Sequence, residues 1–96
     1  MYTIYVIQKT KDNTREQFVQ ELYAAGVVDA VRNEDGCYRY DYYFSEKDKN
    51  EILLIEEWES AAHQKTHLAQ PHMDTLREIK SKYVLDTKLG EFEIKS

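Results

Sequence analysis

Hydrophobic periodicity switches between two and about 3.6 residues along this 96-residue chain, and the order of the switches leaves few folds open. Tyr2 to Lys9 alternates, with Tyr2, Ile4 and Val6 on one face and Thr3, Tyr5 and Ile7 on the other. It is expected to be a strand covered on both faces. Thr14-Arg15-Glu16-Gln17 has the residues of a capping box. Phe18, Leu22 and Ala25 follow at helical spacing, with Val19, Tyr23 and Val28 widening the stripe, so the helix is expected to run to Arg32 or Asn33. Gly26 inside it costs about 1 kcal/mol relative to Ala and marks a kink or a close approach. Asn33-Glu34-Asp35-Gly36 is a stop signal. Cys37 to Phe44 is a second strand, with Tyr38, Tyr40, Tyr42 and Phe44 on one face and Cys37, Arg39, Asp41 and Tyr43 on the other. A polar loop over 45–50 leads into a third strand, Glu51 to Trp58, where Ile52, Leu54, Glu56 and Trp58 share a face.

Ser60 can cap a short helix that carries His63 and His67 one turn apart on one side. Ala69-Gln70 ends it, and Pro71 suits the first position of a new helix with the stripe Met73, Leu76, Ile79 and Tyr83. Val84 to Ile94 reads as a last strand, interrupted at Leu89-Gly90 by a bulge or turn. The order strand, helix, strand, strand, helix, strand predicts one α+β domain over 1–96, a ferredoxin-like βαββαβ sandwich with its helices on one sheet face. Several strands are apolar on both faces, so a second copy packed sheet to sheet is the expected partner.

Charge and composition narrow the function. A net charge of −5 argues against nucleic acid and against an anionic membrane surface. No apolar run approaches bilayer length, and Met1-Tyr2-Thr3-Ile4 does not begin a signal peptide. The single cysteine, Cys37, cannot form an internal disulfide and suits a reducing cytoplasm. It reads as a small buried residue, because no neighbouring base can be placed beside it. Eight Tyr suit half-wet pockets and interfaces. The three Gly are scattered, so no phosphate loop and no nucleotide, flavin or NAD site is expected.

Glu56 to Met73 holds the only Trp, the only Pro and all three His. His63 and His72 fall in first helical turns, where the dipole disfavours imidazolium and leaves the neutral form that a general base needs. His67 falls near a helix end, where the dipole favours charge; it could hold an oxyanion or a carboxylate. Each could instead cap a helix or sit at the surface. Trp58 could wall a flat substrate or pack the core. Glu56 is costly to bury alone, so it should meet Arg39 or a His, or face a wet cavity where its raised pKa would make it a base. Tyr40 could offer its hydroxyl to a ligand. His63 and His67 have the spacing of two metal ligands, but no Glu stands between them as in the zinc protease motif, and no metal is expected.

The set Glu56-x-Trp58-x-Ser60, His63, His67-Leu68 and Pro71-His72-Met73, with Glu34-Asp35-Gly36-Cys37-x-x-Tyr40 upstream, resembles the antibiotic biosynthesis monooxygenase family. The likeness is greatest to its small bacterial quinol monooxygenases and covers essentially the whole chain. It implies a dimeric α/β barrel of two ferredoxin-like subunits. It also implies oxygenation of a quinol, anthrone or similar polyphenol with dioxygen as co-substrate and no metal, flavin or haem. The candidate catalytic residues are then His63, His72 and His67, and the candidate substrate-binding residues are Trp58, Tyr40 and Glu56. The haem-degrading branch uses an Asn in the first strand and a Trp in the helical region; Tyr2 to Lys9 has no Asn and Trp58 ends a strand, so haem degradation is not expected. The alternatives are a non-catalytic dimer that binds an aromatic metabolite or serves a stress role, and a small-metabolite isomerase on the same fold.

Overall fold

Four strands form one antiparallel sheet in the order β2-β3-β1-β4, in a computed structural model that describes residues 1–95: β1 (Tyr2–Thr10), β2 (Cys37–Phe44), β3 (Glu51–Trp58) and β4 (Val84–Glu91). Two helix pairs make the crossovers, α1 (Arg15–Ala24) with α2 (Val27–Arg32), and α3 (Ala61–Leu68) with α4 (Pro71–Tyr83). This is the ferredoxin-like arrangement that the periodicity predicts. Period two places Ile4, Val6 and Gln8 of β1 beside Glu56, Leu54 and Ile52 of β3 on the inner face. Against that face pack Phe18 and Leu22 of α1, Val27, Val28 and Val31 of α2, and Met73, Leu76, Ile79 and Tyr83 of α4. The outer face keeps Tyr5, Ile7, Leu53 and Ile55 half-buried and Tyr43 exposed.

Several local expectations are corrected. The helix predicted from Thr14 to Arg32 is two helices, because Gly26 adopts φ +76°, a left-handed conformation that no α-helix contains. No atom lies near its missing Cβ, so backbone conformation and not close packing selects glycine there. Thr14 is the N-cap residue, but its hydroxyl donates to the Lys11 carbonyl, so no capping box forms. In β2 the register shifts between Cys37 and Arg39, which turns Tyr38 out of line with Tyr40 and Tyr42; its exposed hydroxyl donates to Glu59 at 3.0 Å. β4 runs unbroken through Leu89-Gly90 and ends at Glu91, and the irregularity lies at Lys9/Thr10 instead. Gly90 is there because the Tyr5 ring crosses it: a Cβ would stand 2.6 Å from the Tyr5 hydroxyl.

Candidate functional site

β3 enters the site with alternating side chains, so Glu56 points the same way as Leu54 and Trp58, toward the helices. Glu56 is 5% exposed and accepts a 3.0 Å hydrogen bond from Trp58 Nε1. Arg39, one of the partners expected for it, lies on the opposite sheet face and pairs with Glu57. Burial pushes the Glu56 carboxyl up to about 7; the Trp58 bond opposes the rise, and the charge of Glu34 adds to it.

Glu56 opens onto an inner cavity of about 290 Å³ between the sheet and helices α3 and α4. Ile4, Val6, Leu54, Met73 and Leu76 make its apolar walls, and Tyr40 and Tyr42 close one side. The two tyrosine hydroxyls are 3.4 Å apart, and burial raises both phenols well above their ordinary range, so they remain protonated donors. Leu68 and Leu89 line the cavity yet are 44% and 68% exposed, which marks its mouth. Trp58 stands behind the wall, fully buried, and stacks on His67 at 4.6 Å between ring centroids.

The three histidines separate. Ser60 caps α3 by accepting from the His63 backbone N–H, and its hydroxyl also lies 2.7 Å from His63 Nδ1. That contact aims His63 outward, beneath Gly36 (φ +79°), where a Cβ would meet the imidazole at 2.4 Å. One turn later His67 turns inward and is 1% exposed. Burial overrides the helix dipole at His67: desolvation lowers its pKa against the opposing bond to Glu34, so the neutral ring is favoured and the expectation of a charged form is corrected. His72, held in the first turn of α4 by Pro71, reaches back to the same carboxylate. Glu34 Oε2 lies 2.7 Å from His67 Nδ1 and 2.8 Å from His72 Nε2. A carboxylate only accepts, so both rings carry a proton on the atom that faces it. His67 Nε2 is then a free lone pair, 3.9 Å from Glu56 Oε1.

His63, His72 and Glu34 line a second, outer cleft of about 530 Å³ with Asp35, Thr66 and Gln70. That cleft is larger, but no Tyr, Phe or Trp lines it, and the buried Glu56 and the tyrosines belong to the inner cavity. Of the predicted site residues, Tyr40, Glu56 and His67 therefore meet at the inner cavity, Trp58 supports them, and His63 and His72 lie outside it. His63 and His67, which share metal-ligand spacing in the sequence, point apart. Glu34, His67 and His72 converge: their ligand atoms lie within 4.8 Å of one another, a two-histidine, one-carboxylate set able to hold a divalent ion, though here the three groups bond to each other. Sequence reasoning gave no site role to Glu34, Gln8 or Lys80, and it placed Tyr42 in the aromatic stripe beside Tyr40 without naming it a site residue. Gln8 carried a legible signal, a lone amide at an inward position after Tyr2, Ile4 and Val6. Glu34 opens the Glu34-Asp35-Gly36-Cys37 motif, but nothing local ties it to the histidines, because its turn meets them only in the tertiary fold.

Comparison with known proteins agrees with this architecture. The family model described as antibiotic biosynthesis monooxygenase matches residues 1–78. A curated relative from Escherichia coli K12, named "Probable quinol monooxygenase YgiN", is 33% identical over 68% of this chain and 70% of its own length. Among solved structures, PA3566 from Pseudomonas aeruginosa superposes with a TM-score of 0.83 at 21% identity, covering 99% of this chain and 94% of its own. Rv0793 from Mycobacterium tuberculosis does so with 0.81 at 21%, covering 99% and 95%. These structural likenesses establish the fold.

Proposed function

Because the chain belongs to the antibiotic biosynthesis monooxygenase family, we propose that it oxidises a quinol or related polyphenol with dioxygen, unaided by metal, flavin or haem, in the inner cavity. The observation that carries this reading is Glu56: a buried carboxyl held at about 7, facing an apolar, aromatic-walled space. A base near neutrality is what phenol deprotonation requires.

The Glu56 carboxylate takes a phenolic proton, and Tyr40 and Tyr42 donate hydrogen bonds to the phenolate oxygen. The electron-rich phenolate passes one electron to dioxygen. The resulting radical pair joins at a ring carbon, and loss of water leaves a hydroxyquinone. The balance is quinol plus dioxygen giving hydroxyquinone plus water, with the substrate supplying all four electrons. Trp58 fixes the carboxylate, and the lone pair of His67 Nε2 can receive its proton through a small rotation of Glu56. The apolar walls keep bulk water from the radical pair.

A second copy over the outer sheet face would cover Tyr5, Ile7, Leu53, Ile55 and Tyr43 and complete a dimeric α/β barrel; sedimentation should give twice the chain mass. No helix among the described residues is long and apolar enough to cross a membrane, and the lone half-buried thiol suits the cytoplasm.

Dioxygen uptake with a panel of quinols and anthrones tests the function, with heat-denatured protein as the baseline for spontaneous oxidation. Wild type should exceed the baseline, Glu56→Gln should lose about 100-fold or more of the excess, and His63→Ala should keep it. Uptake at baseline on every substrate, or an active Glu56→Gln, overturns the reading.

A further inference from the structure

The inner cavity has a second polar end that the chemistry above leaves unused. Gln8 is 4% exposed and lines the cavity, and its amide Oε1 has no hydrogen-bond partner. Leaving a buried acceptor unpaired costs about 1–3 kcal/mol, so a persistent orphan points to a group that arrives later. Thr87 faces Gln8 across the β1–β4 pairing and lines the same cavity with Lys80 of α4. The Lys80 ammonium is partly desolvated, no acidic partner raises its pKa, and burial lowers it. An amide oxygen, an ammonium and a threonine hydroxyl thus bound this end.

Two rulers place this end away from Glu56. On the sheet, Glu56 pairs with Ile4 and Gln8 lies four residues further along β1, about 13 Å in a strand. On α4, Met73 and Lys80 are seven residues apart, about 10 Å along a helix. Both run the same way. The start of α4 reaches Glu34 through His72, and its end accepts, at the Tyr83 carbonyl, from the Lys11 N–H just past β1. The cavity is therefore a slot, with the base at one end and Gln8, Thr87 and Lys80 at the other.

We propose that the substrate is an elongated aromatic phenol bearing a second hydroxyl roughly 10 Å from the one that Glu56 deprotonates, a length set by the helical and strand rises. This distal hydroxyl donates to Gln8 Oε1 and accepts from Lys80 Nζ. A hydroxyl fits because it both gives and takes a hydrogen bond. A distal carboxylate would pair with Lys80 but meet Gln8 favourably only if the amide turned its NH2 inward, and a bare ring would leave both groups unpaired. The inference rests on the inner cavity being the substrate chamber.

Calorimetric binding under anaerobic conditions tests it, because no turnover is needed. The probes are three linear tricyclic phenols that carry a hydroxyl, a hydrogen or a carboxylate on the far ring. Wild type should bind the far-hydroxyl probe about 10-fold or more tightly than the far-hydrogen probe, the discrimination expected of a paired buried polar group. Gln8→Leu, which removes the buried orphan and should stay folded, should reduce that preference to about twofold or less; Lys80→Met, at a half-exposed position, should weaken it as well. Equal binding of the hydroxyl and hydrogen probes, tightest binding of the carboxylate probe, or an unchanged preference in Gln8→Leu overturns the inference. Binding with the predicted preference but without later dioxygen uptake overturns the oxygenase reading alone. Absence of any binding overturns both.

Discussion

Replacing Glu56 by Gln should flatten one limb of the stability–pH curve. In the folded chain the carboxyl is raised from 4.5 to about 7, chiefly by burial. A raised carboxyl pKa means that the folded state holds its proton more tightly than the unfolded state. Its contribution is therefore fully present below pH 4.5 and is lost as pH rises through about 7. The difference between those two values corresponds to about 3 kcal/mol, the amount by which wild type should weaken relative to the variant between pH 4.5 and 8. Gln keeps the shape and an oxygen for Trp58 Nε1, so the variant should match wild type near pH 4.5 and exceed it at pH 8. For a domain this small that is on the order of 10–20 °C in Tm. His67 acts in the opposite sense: its pKa is lowered, so its contribution is lost as pH falls below its ordinary 6.5, and that limb should remain in both proteins. Chemical denaturation at fixed protein concentration across pH 4.5–8 measures the difference. Parallel curves for wild type and Glu56→Gln would refute the claim that this carboxyl is buried and held near neutrality.

Three further outcomes are expected. Gly36→Ala should cost about 2–4 kcal/mol, part from its positive φ and part from the clash with His63; in a His63→Ala background the cost should fall to roughly 1–2 kcal/mol, measured as a denaturation double-mutant cycle. The Cys37 thiol, pushed up to about 11 mainly by burial, should alkylate about 100-fold more slowly than free cysteine at pH 8 by mass spectrometry. A chelator should leave quinol-dependent dioxygen uptake unchanged, whereas loss of uptake restored by one divalent metal would assign catalysis to the Glu34, His67 and His72 set.

Much of the fold was legible because strands and helices announce themselves by period. The inward set Ile52, Leu54, Glu56 and Trp58 could be read directly, and an acid among apolar residues already pointed to an unusual carboxyl. What period cannot give is a break in it. Gly26 marked a weak point in the helix but not the left-handed turn that ends it, and nothing in the period marks the Cys37/Arg39 irregularity that turned Tyr38 outward. The site was half legible for a related reason. His63 and His67 are one turn apart, yet the Ser60 hydroxyl holds one outward while the Trp58 and Tyr40 rings take the other inward. Helical spacing alone treats them as a pair. Helix-dipole reasoning misjudged His67 because desolvation, a tertiary term, outweighs the end of a short helix.

The most direct measurement is a crystal structure of the protein with a quinol bound under anaerobic conditions. The ring is expected between Tyr40, Met73 and Leu76, with one hydroxyl within hydrogen-bond reach of Glu56. Density for the quinol only in the outer cleft, among His63, His72 and Glu34, would contradict it and move the reaction to the histidines.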